Sequence, residues 1–489
     1  MMKNIFNKIL ALAVVFSIAS CDSLLDINED PDASTTARVQ EVFTSGQAYL
    51  NYMVAAQFND ETPRLWAQYY AWGPGVAVGP DERNEYFATS SDSRWRYAYA
   101  RSLRDLKFVI DSGEPLYGAL AKITMAYEYG LLVDMFDAVP YSQALQGAFE
   151  DGSLTTPVYD DGATIYASLI ASIDEALAQI ENAAGNILIP GNDDLLYHGD
   201  LDAWTKFAYS LKLKLLVRQT VNGGPTDLST QISDLVAEGL AGGYFIDEPS
   251  ENAAIVAGGQ AGSENPFYAL LEQGLGNFYV LNQAFFEALD DLNDERLDEM
   301  YDKPGGSAVH VAEISGNVLN SDLQSADYSK PSDKVYGPAL PTNLMTSTEV
   351  WFYRAEAAQR FGTEDAVSTF NSAVTSSFAD LGIESDAAGH LAFINYGNAT
   401  DRIKMLSREM WVAMNGTSQP GEGWITTRKF DNGSNGYFGS TGGLFISPVE
   451  NTLGAGVYPS ILLYPQTEVN TNPNFPGQHQ LTDKVFWDN

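Results

Sequence analysis

Apolar side chains recur at helical spacing along most of this chain, and this pattern limits the fold more than any other feature of the sequence. In one stripe, Trp95, Tyr99 and Leu103 are spaced four residues apart, which places them on one face of an α-helix. Similar stripes run through residues 116–136, 166–180, 204–215, 350–361, 366–378 and 403–414. Because such a stripe is typical of a helix that packs one face against a core, most of the chain is predicted to be helical.

The predicted helices fall into pairs joined by turns that contain Gly or Pro. The pairs are 94–112 with 115–136, 161–182 with 200–220, and 347–361 with 364–380. Gly113 is suited to end one helix and Pro115 to open the next, while Thr346 and Glu349 predict a capping box. Paired helices bury their apolar faces by stacking on their neighbours. We therefore predict an all-α fold, a tetratricopeptide-like helical-repeat superhelix, in one domain over residues 35–489.

Three segments lack this helical pattern and are rich in Gly, Asn, Asp, Pro and aromatic residues. They are residues 59–93, 241–345 and 416–489. Long ordered loops inside a compact domain usually carry function. We predict that these insertions form a loop-rich half that binds ligand.

The N-terminus has the pattern of a bacterial export signal. Residues 9–19 form an apolar run that is too short to cross a hydrocarbon core of about 30 Å, and lysines precede it. Two small residues then lead to Cys21, the only cysteine, in an arrangement that resembles a lipobox, where cleavage precedes lipidation of the thiol. We predict a signal peptide at 1–20 and a lipidated tether at 21–34. Ordinary cleavage near Ser20 and a buried core cysteine are the alternatives.

Charge and motif content argue against several classes of function. The chain has 64 acidic and 27 basic residues, a net charge of −37, so its surface repels nucleic-acid phosphates. Its four histidines are scattered without metal-ligand spacing, and no nucleophile motif is found. Paired acids at 160–161, 193–194 and 290–291 are interpreted as helix caps or turn residues rather than glycosidase carboxylates. We therefore expect no nucleic-acid partner, no metal, no cofactor and no catalysis.

Aromatic residues in the loop-rich segments are the best candidates for ligand contacts. Sugar rings stack on flat aromatic side chains, and neighbouring polar groups bind the hydroxyls. The first zone contains Trp66, Tyr69, Tyr70 and Trp72, with Arg83 and Asn84 close by; the second contains Tyr268, Phe278 and Tyr279. If residues 64–72 form a helix, Trp66 and Tyr70 share a face, so that one aromatic pair is buried and the other is available to ligand.

Five stretches, in the same order along the chain, resemble the SusD/RagB family. The first is "CDSLLDINEDP", directly after the predicted cleavage site. "EYGLLVDMFDAVPYSQAL" (128–145) and "DLDAWTKFAYSLKLKLLVRQ" (200–219) follow, and then "STEVWFYRAEAAQRFG" (347–362) and "LYPQTEVNTNPN" (463–474). Residues 411–430 follow the family pattern only loosely.

The resemblance implies a function as well as a fold. Members are surface lipoproteins of Bacteroidetes with an α-superhelix and a loop-rich ligand-binding half, and they act with a SusC-like TonB-dependent transporter. It implies that this chain binds an oligosaccharide, or a peptide, at the outer membrane, to which a lipid on Cys21 would tether it. An anchored glycan-degrading enzyme and a helical-repeat scaffold for proteins are the competing hypotheses.

Overall fold

The computed structural model describes residues 37–147, 154–185, 187–271, 276–317 and 323–488. The predicted signal peptide, Cys21 and the tether lie outside these residues. Along the first half of the chain the helices are α1 (Val39–Met53), α2 (Glu61–Trp66), α3 (Ser91–Tyr97), α4 (Arg104–Asp111), α5 (Pro115–Phe136), α6 (Gly162–Glu181), α7 (Leu201–Arg218) and α8 (Leu228–Gly242). A π-helical turn, Val54–Phe58, extends α1, and another, Ala98–Leu103, joins α3 to α4.

The second half contains shorter helices and one further long pair. They are α9 (Pro266–Leu271), α10 (Gln283–Asp290), α11 (Arg296–Met300), α12 (Ser347–Phe361), α13 (Ala366–Asp380), α14 (Ala387–Ile394), α15 (Arg402–Gly416), α16 (Pro420–Phe430) and α17 (Gln466–Thr471). The protein is therefore mostly helical, as predicted. Among the described residues, no helix combines the length and the apolar character needed to cross a membrane.

In the residues that the structure describes, eight short strands form four antiparallel pairs. They are β1 (Tyr70–Trp72), β2 (Val139–Pro140), β3 (Tyr159–Asp160), β4 (Ala253–Ile255), β5 (Tyr279–Leu281), β6 (Tyr301–Asp302), β7 (Lys330–Pro331) and β8 (Thr342–Met345). The pairs are β1–β5, β2–β3, β4–β8 and β6–β7. In β1–β5, Tyr70 lies opposite Leu281 and Trp72 opposite Tyr279, which joins the two predicted aromatic zones.

The predicted helix pairs are confirmed in the described residues, and their terminal signals are confirmed in part. Helices α4 and α5, α6 and α7, and α12 and α13 each pack against one another. Gly113 adopts a positive φ of 78° after α4, and Pro115 begins α5. Only half of the predicted capping box forms: Thr346 accepts the Glu349 backbone N–H at 3.2 Å, but the Glu349 carboxylate turns into the core.

A buried charge network joins the helical pairs to α16. Lys214 on α7 donates to Glu349 on α12 at 2.9 Å and to Glu422 on α16 at 2.6 Å. Arg218, one turn further along α7, donates to Glu422 at 2.7 Å. Burial opposes ionisation of Glu422, but Lys214 and Arg218 outweigh burial and lower its pKa to about 2. The network fixes α16 to the centre of the helical body.

Two predictions about the loop-rich segments need correction. Residues 416–489 include α16, all of whose residues are buried, so this part belongs to the core. Residues 64–72 do not form one helix, because α2 ends at Trp66 and Gln68, with a φ of 57°, turns the chain into β1. The interpretation of the paired acids is confirmed at Asp161, whose side chain caps α6 by accepting the Thr164 backbone N–H at 2.9 Å.

Candidate functional site

The structure places most of the first predicted aromatic zone in the core. Tyr69 and Tyr70 are fully buried, as is Tyr279 from the second zone, while Trp66 and Trp72 are 2% and 9% exposed. The rings of the three tyrosines therefore offer no surface on which a sugar could stack, and their assignment is corrected from binding surface to core.

Internal hydrogen-bond partners explain this burial. The Tyr69 hydroxyl donates to the Trp411 carbonyl at 2.6 Å. The indole N–H of Trp72 and the hydroxyl of Tyr279 donate to the two oxygens of the Glu61 carboxylate, at 2.8 and 2.9 Å. Each polar tip is satisfied inside the protein, so these side chains can be buried without an unpaired polar group.

Two predicted aromatic residues of the second zone are half-buried rather than buried. The Tyr268 ring packs on Tyr336 with centroids 5.2 Å apart. The Phe278 ring lies beneath Gly75, where a Cβ atom would approach it to 3.0 Å. Phe278 thus borders the loop that follows β1, and each of the two rings is partly exposed.

Trp66 is the one predicted aromatic residue that lines a cavity beside α16 in the described structure. This cavity, which we name the aromatic cleft, has a volume of about 240 Å³. Trp66 and Trp424 meet edge to face, with ring centroids 5.3 Å apart. Their indole N–H groups donate to the carbonyls of Asp81 and Pro459, which fixes the orientation of both rings.

Three further aromatic residues line the cleft, and all come from the C-terminal segment. Phe438 and Phe445 lie 5.6 Å apart, and Phe445 and Tyr458 lie 5.4 Å apart. Phe438 is buried, whereas Phe445 and Tyr458 are partly exposed. Gly439 permits the close approach of Tyr458, because a Cβ atom there would lie 2.5 Å from its ring.

Polar groups lie among these rings. The Arg428 guanidinium stacks on the Trp424 ring at 3.8 Å, and burial lowers its pKa to about 10. Thr482 and Lys484 are exposed lining residues, so they can reach a ligand. Asp431 is the one lining residue that carries a carboxylate in the described structure, and its two oxygens accept the backbone N–H groups of residues 433 and 439.

Residues from the early part of the chain form hydrogen bonds with the loops that make up the wall of the cleft. The Gln68 amide forms two hydrogen bonds with the Ile446 backbone, at 2.8 and 2.9 Å. The Asn84 amide donates to the Val457 carbonyl at 3.3 Å, and the Arg83 carbonyl accepts the Thr452 backbone N–H at 2.8 Å. Arg83 and Asn84, predicted to contact ligand, do not line the cleft; the Arg83 carbonyl and the Asn84 amide hold the loop that carries Tyr458.

The geometry of the cleft suits binding better than hydrolysis. Apolar and aromatic side chains with a few oriented polar groups are the usual lining of a small-ligand site. Glycosidases use two carboxylates on opposite sides of the scissile bond. The cleft, as described, offers only Asp431, and backbone groups already engage both of its oxygens.

One cluster outside the cleft has metal-binding residue types. Ligand atoms of Asp294, His390 and Glu409 lie within 4.8 Å of one another, and all three residues are buried. Arg296 donates to Asp294 at 2.6 Å and to Glu409 at 2.5 Å, so a guanidinium already supplies the positive charge there. We interpret this cluster as a buried ion-pair network.

Comparison with known families identifies the chain. The profile of the SusD-like family, described as starch-binding and associating with the outer membrane, matches residues 31–432. This chain belongs to the SusD-like family. Among curated proteins, none matches the sequence.

Solved structures of other SusD homologues share the fold of this SusD-like protein. A chitin-binding protein superposes with a TM-score of 0.75 at 19% identity, covering 92% of this chain and 100% of its own. A SusD/RagB family protein from Bacteroides thetaiotaomicron gives 0.75 at 19% identity, covering 92% and 99%. A chitin-binding SusD homologue from Flavobacterium johnsoniae gives 0.72 at 17% identity, covering 91% and 98%.

Most residues of the SusD-like cleft are not among the predicted site residues. Trp424 stands between Gly423 and Ile425, and this local sequence does not distinguish a core residue from a site residue. Phe445 and Tyr458 lie in a glycine-rich stretch without periodicity, so no local pattern assigns them to a cavity. The one available signal was the density of aromatic residues and glycines after residue 430.

Proposed function

We propose that this SusD-like protein is a non-catalytic lipoprotein of the outer membrane that binds an oligosaccharide in the aromatic cleft and delivers it to a SusC-like TonB-dependent transporter. The observation that carries the proposal is the cleft itself, with partly exposed Phe445 and Tyr458 beside the Trp66–Trp424 pair. The family description supports a glycan at the outer membrane. The lipid on Cys21, the outward orientation and the transporter partner are parts of the proposal.

The chitin-binding relatives give the first ligands to test. Isothermal titration with chitin and starch oligosaccharides, using the protein from residue 22 onward, measures binding directly. We expect Tyr458→Ala and Phe445→Ala to weaken the affinity for the bound oligosaccharide at least tenfold, because each removes a stacking face. Tyr244→Ala and Phe393→Ala remove exposed rings that do not line the cleft, so they serve as controls.

The half-buried rings of the second predicted zone provide the alternative location. If Tyr268→Ala and Phe278→Ala abolish binding while the two cleft variants bind normally, the ligand site lies beside the loop after β1. Circular dichroism and thermal unfolding of every variant separate a lost contact from a lost fold.

Three further measurements distinguish the competing functions. An enzyme would release reducing ends from the polysaccharide that it binds, whereas a binding protein would leave that polysaccharide intact. A peptide-binding member of the family would prefer an oligopeptide library to the oligosaccharides. Purification from the host membrane in mild detergent should recover a stoichiometric protein of transporter size, and its absence under several detergents would refute the delivery role.

A further inference from the structure

A second cavity lies next to the aromatic cleft and shares one lining residue with it, Phe438. Its volume is about 300 Å³, at the lower end of the range for small-molecule sites. Its apolar lining consists of Leu292, Ile394, Ala399, Met405, Phe438 and Leu444. Such a lining suits an apolar body smaller than an oligosaccharide.

In the lining of the second cavity, one cation has no anionic partner, whereas the other charged groups accept or donate hydrogen bonds. Asp401 accepts the Tyr437 hydroxyl at 2.9 Å on each oxygen and the Lys404 backbone N–H at 2.9 Å. Arg408 donates to Glu409 at 2.5 Å and to the Ala288 carbonyl. The acids and the guanidinium are therefore already engaged.

Lys404 is the exception. Within the part of the chain that the structure describes, its ammonium has no carboxylate or carbonyl acceptor, and it lies 5.7 Å from the centroid of the Tyr437 ring. An ammonium with an open coordination side at the edge of an apolar cavity favours an anionic group on the ligand. This local preference acts against the overall charge of −37, so the binding of anions must depend on Lys404 itself.

We propose that the second cavity binds a small carboxylate with an aromatic or branched aliphatic body. The body would occupy the apolar lining between Leu292, Met405 and Leu444, and the carboxylate would pair with Lys404. A phosphate is less suitable, because phosphate sites usually combine several donors and the guanidinium of Arg408 is already engaged.

The proposal can be tested with three probes of similar shape: phenylacetate, its neutral amide and phenethylammonium. Titration calorimetry or ligand-observed NMR should show binding of phenylacetate, at least tenfold weaker binding of the amide and no binding of the cation. Equal affinity for phenylacetate and its amide would overturn the proposal, since charge would then play no part.

Two variants test the two halves of the site. Lys404→Met should weaken phenylacetate binding at least tenfold, and Ala399→Phe should abolish it by filling the cavity. Lys107→Met, which removes an exposed ammonium paired with Asp111 on α4, should leave it unchanged. If Lys404→Met binds phenylacetate as the unaltered protein does, the assignment of the anion site is wrong.

The second cavity and the aromatic cleft can be tested separately. Lys404→Met should still bind the oligosaccharide that the unaltered protein binds. If phenylacetate binding is instead lost in Tyr458→Ala and kept in Ala399→Phe, the carboxylate occupies the aromatic cleft, and the proposal for the second cavity fails.

Discussion

Replacing Glu422 by Gln tests whether the buried charge network holds α16 in place. Glu422 is fully buried and accepts from Lys214 and Arg218. In the variant, Lys214 still pairs with Glu349 at 2.9 Å, but the closest carboxylate left to Arg218 is that of Asp134, at 3.7 Å. A buried guanidinium thus loses its main counter-charge.

The expected loss in the free energy of unfolding can be calculated in two ways. Breaking a buried ion pair from one side typically costs about 3–5 kcal/mol. Independently, the pKa of Glu422 falls from 4.5 to about 2, and since one pKa unit corresponds to about 1.4 kcal/mol, this change corresponds to about 3 kcal/mol. We expect Glu422→Gln to lower the free energy of unfolding by about 3 kcal/mol at pH 7.

Urea unfolding followed by tryptophan fluorescence measures this change. Glu450→Gln is the matched control, because Glu450 is exposed and lies 3.9 Å from Arg83, where an ion pair contributes about 0–1 kcal/mol. The contribution of Glu422 should be complete above pH 4.5 and should disappear as the pH falls toward 2. A loss below about 1 kcal/mol at pH 7 would show that the network does not anchor α16.

Four other variants have expected outcomes. Burial raises the pKa of Glu82 to about 8. The contribution of Glu82 to the free energy of unfolding should therefore fall as the pH rises from about 4.5 to about 8. Glu82→Gln should flatten that decline, and an unchanged pH profile of stability would contradict the prediction. Gly423→Ala should cost about 1–3 kcal/mol, because its Cβ would lie 1.9 Å from the Tyr69 hydroxyl. Gly389→Ala should instead stabilise α14 by about 0.5–1 kcal/mol, because no heavy atom lies within 4 Å of the added Cβ. Equal changes in melting temperature for the two glycine variants would refute the packing argument. Cys21→Ala should move the protein out of the membrane fraction, and unchanged fractionation would refute the lipid anchor.

The long helices could be predicted from sequence because their signals are local. Helix α5 combines an apolar repeat with Gly113 before it and Pro115 at its first position. Helix α12 runs from Ser347 to Phe361, as predicted, between the Thr346 cap and a positive φ at Gly362. Both the caps and the repeat can be read within one helix length, so no tertiary information was needed.

Helix α16 and the cleft could not be predicted, for different reasons. Every residue of α16 is buried, so the sequence shows no contrast between an apolar and a polar face. The aromatic residues at 66–72 look alike in sequence, yet the turn at Gln68 sends Tyr69 and Tyr70 into the core and leaves Trp66 beside the cleft. Which ring faces a cavity depends on partners such as Trp424, more than 350 positions away.

The two hydrogen bonds between Gln68 and Ile446 have a consequence for when the binding site forms. They join residues 378 positions apart, so the wall of the cleft cannot assemble until nearly the whole chain is present. Contacts of such sequence separation form late, after local helix pairs such as α12 and α13. A chain truncated before residue 446 would keep those helical pairs but lack the site. The cleft can thus form only after nearly the whole chain has been synthesised. A folding intermediate that contains only the helix pairs would lack the binding site.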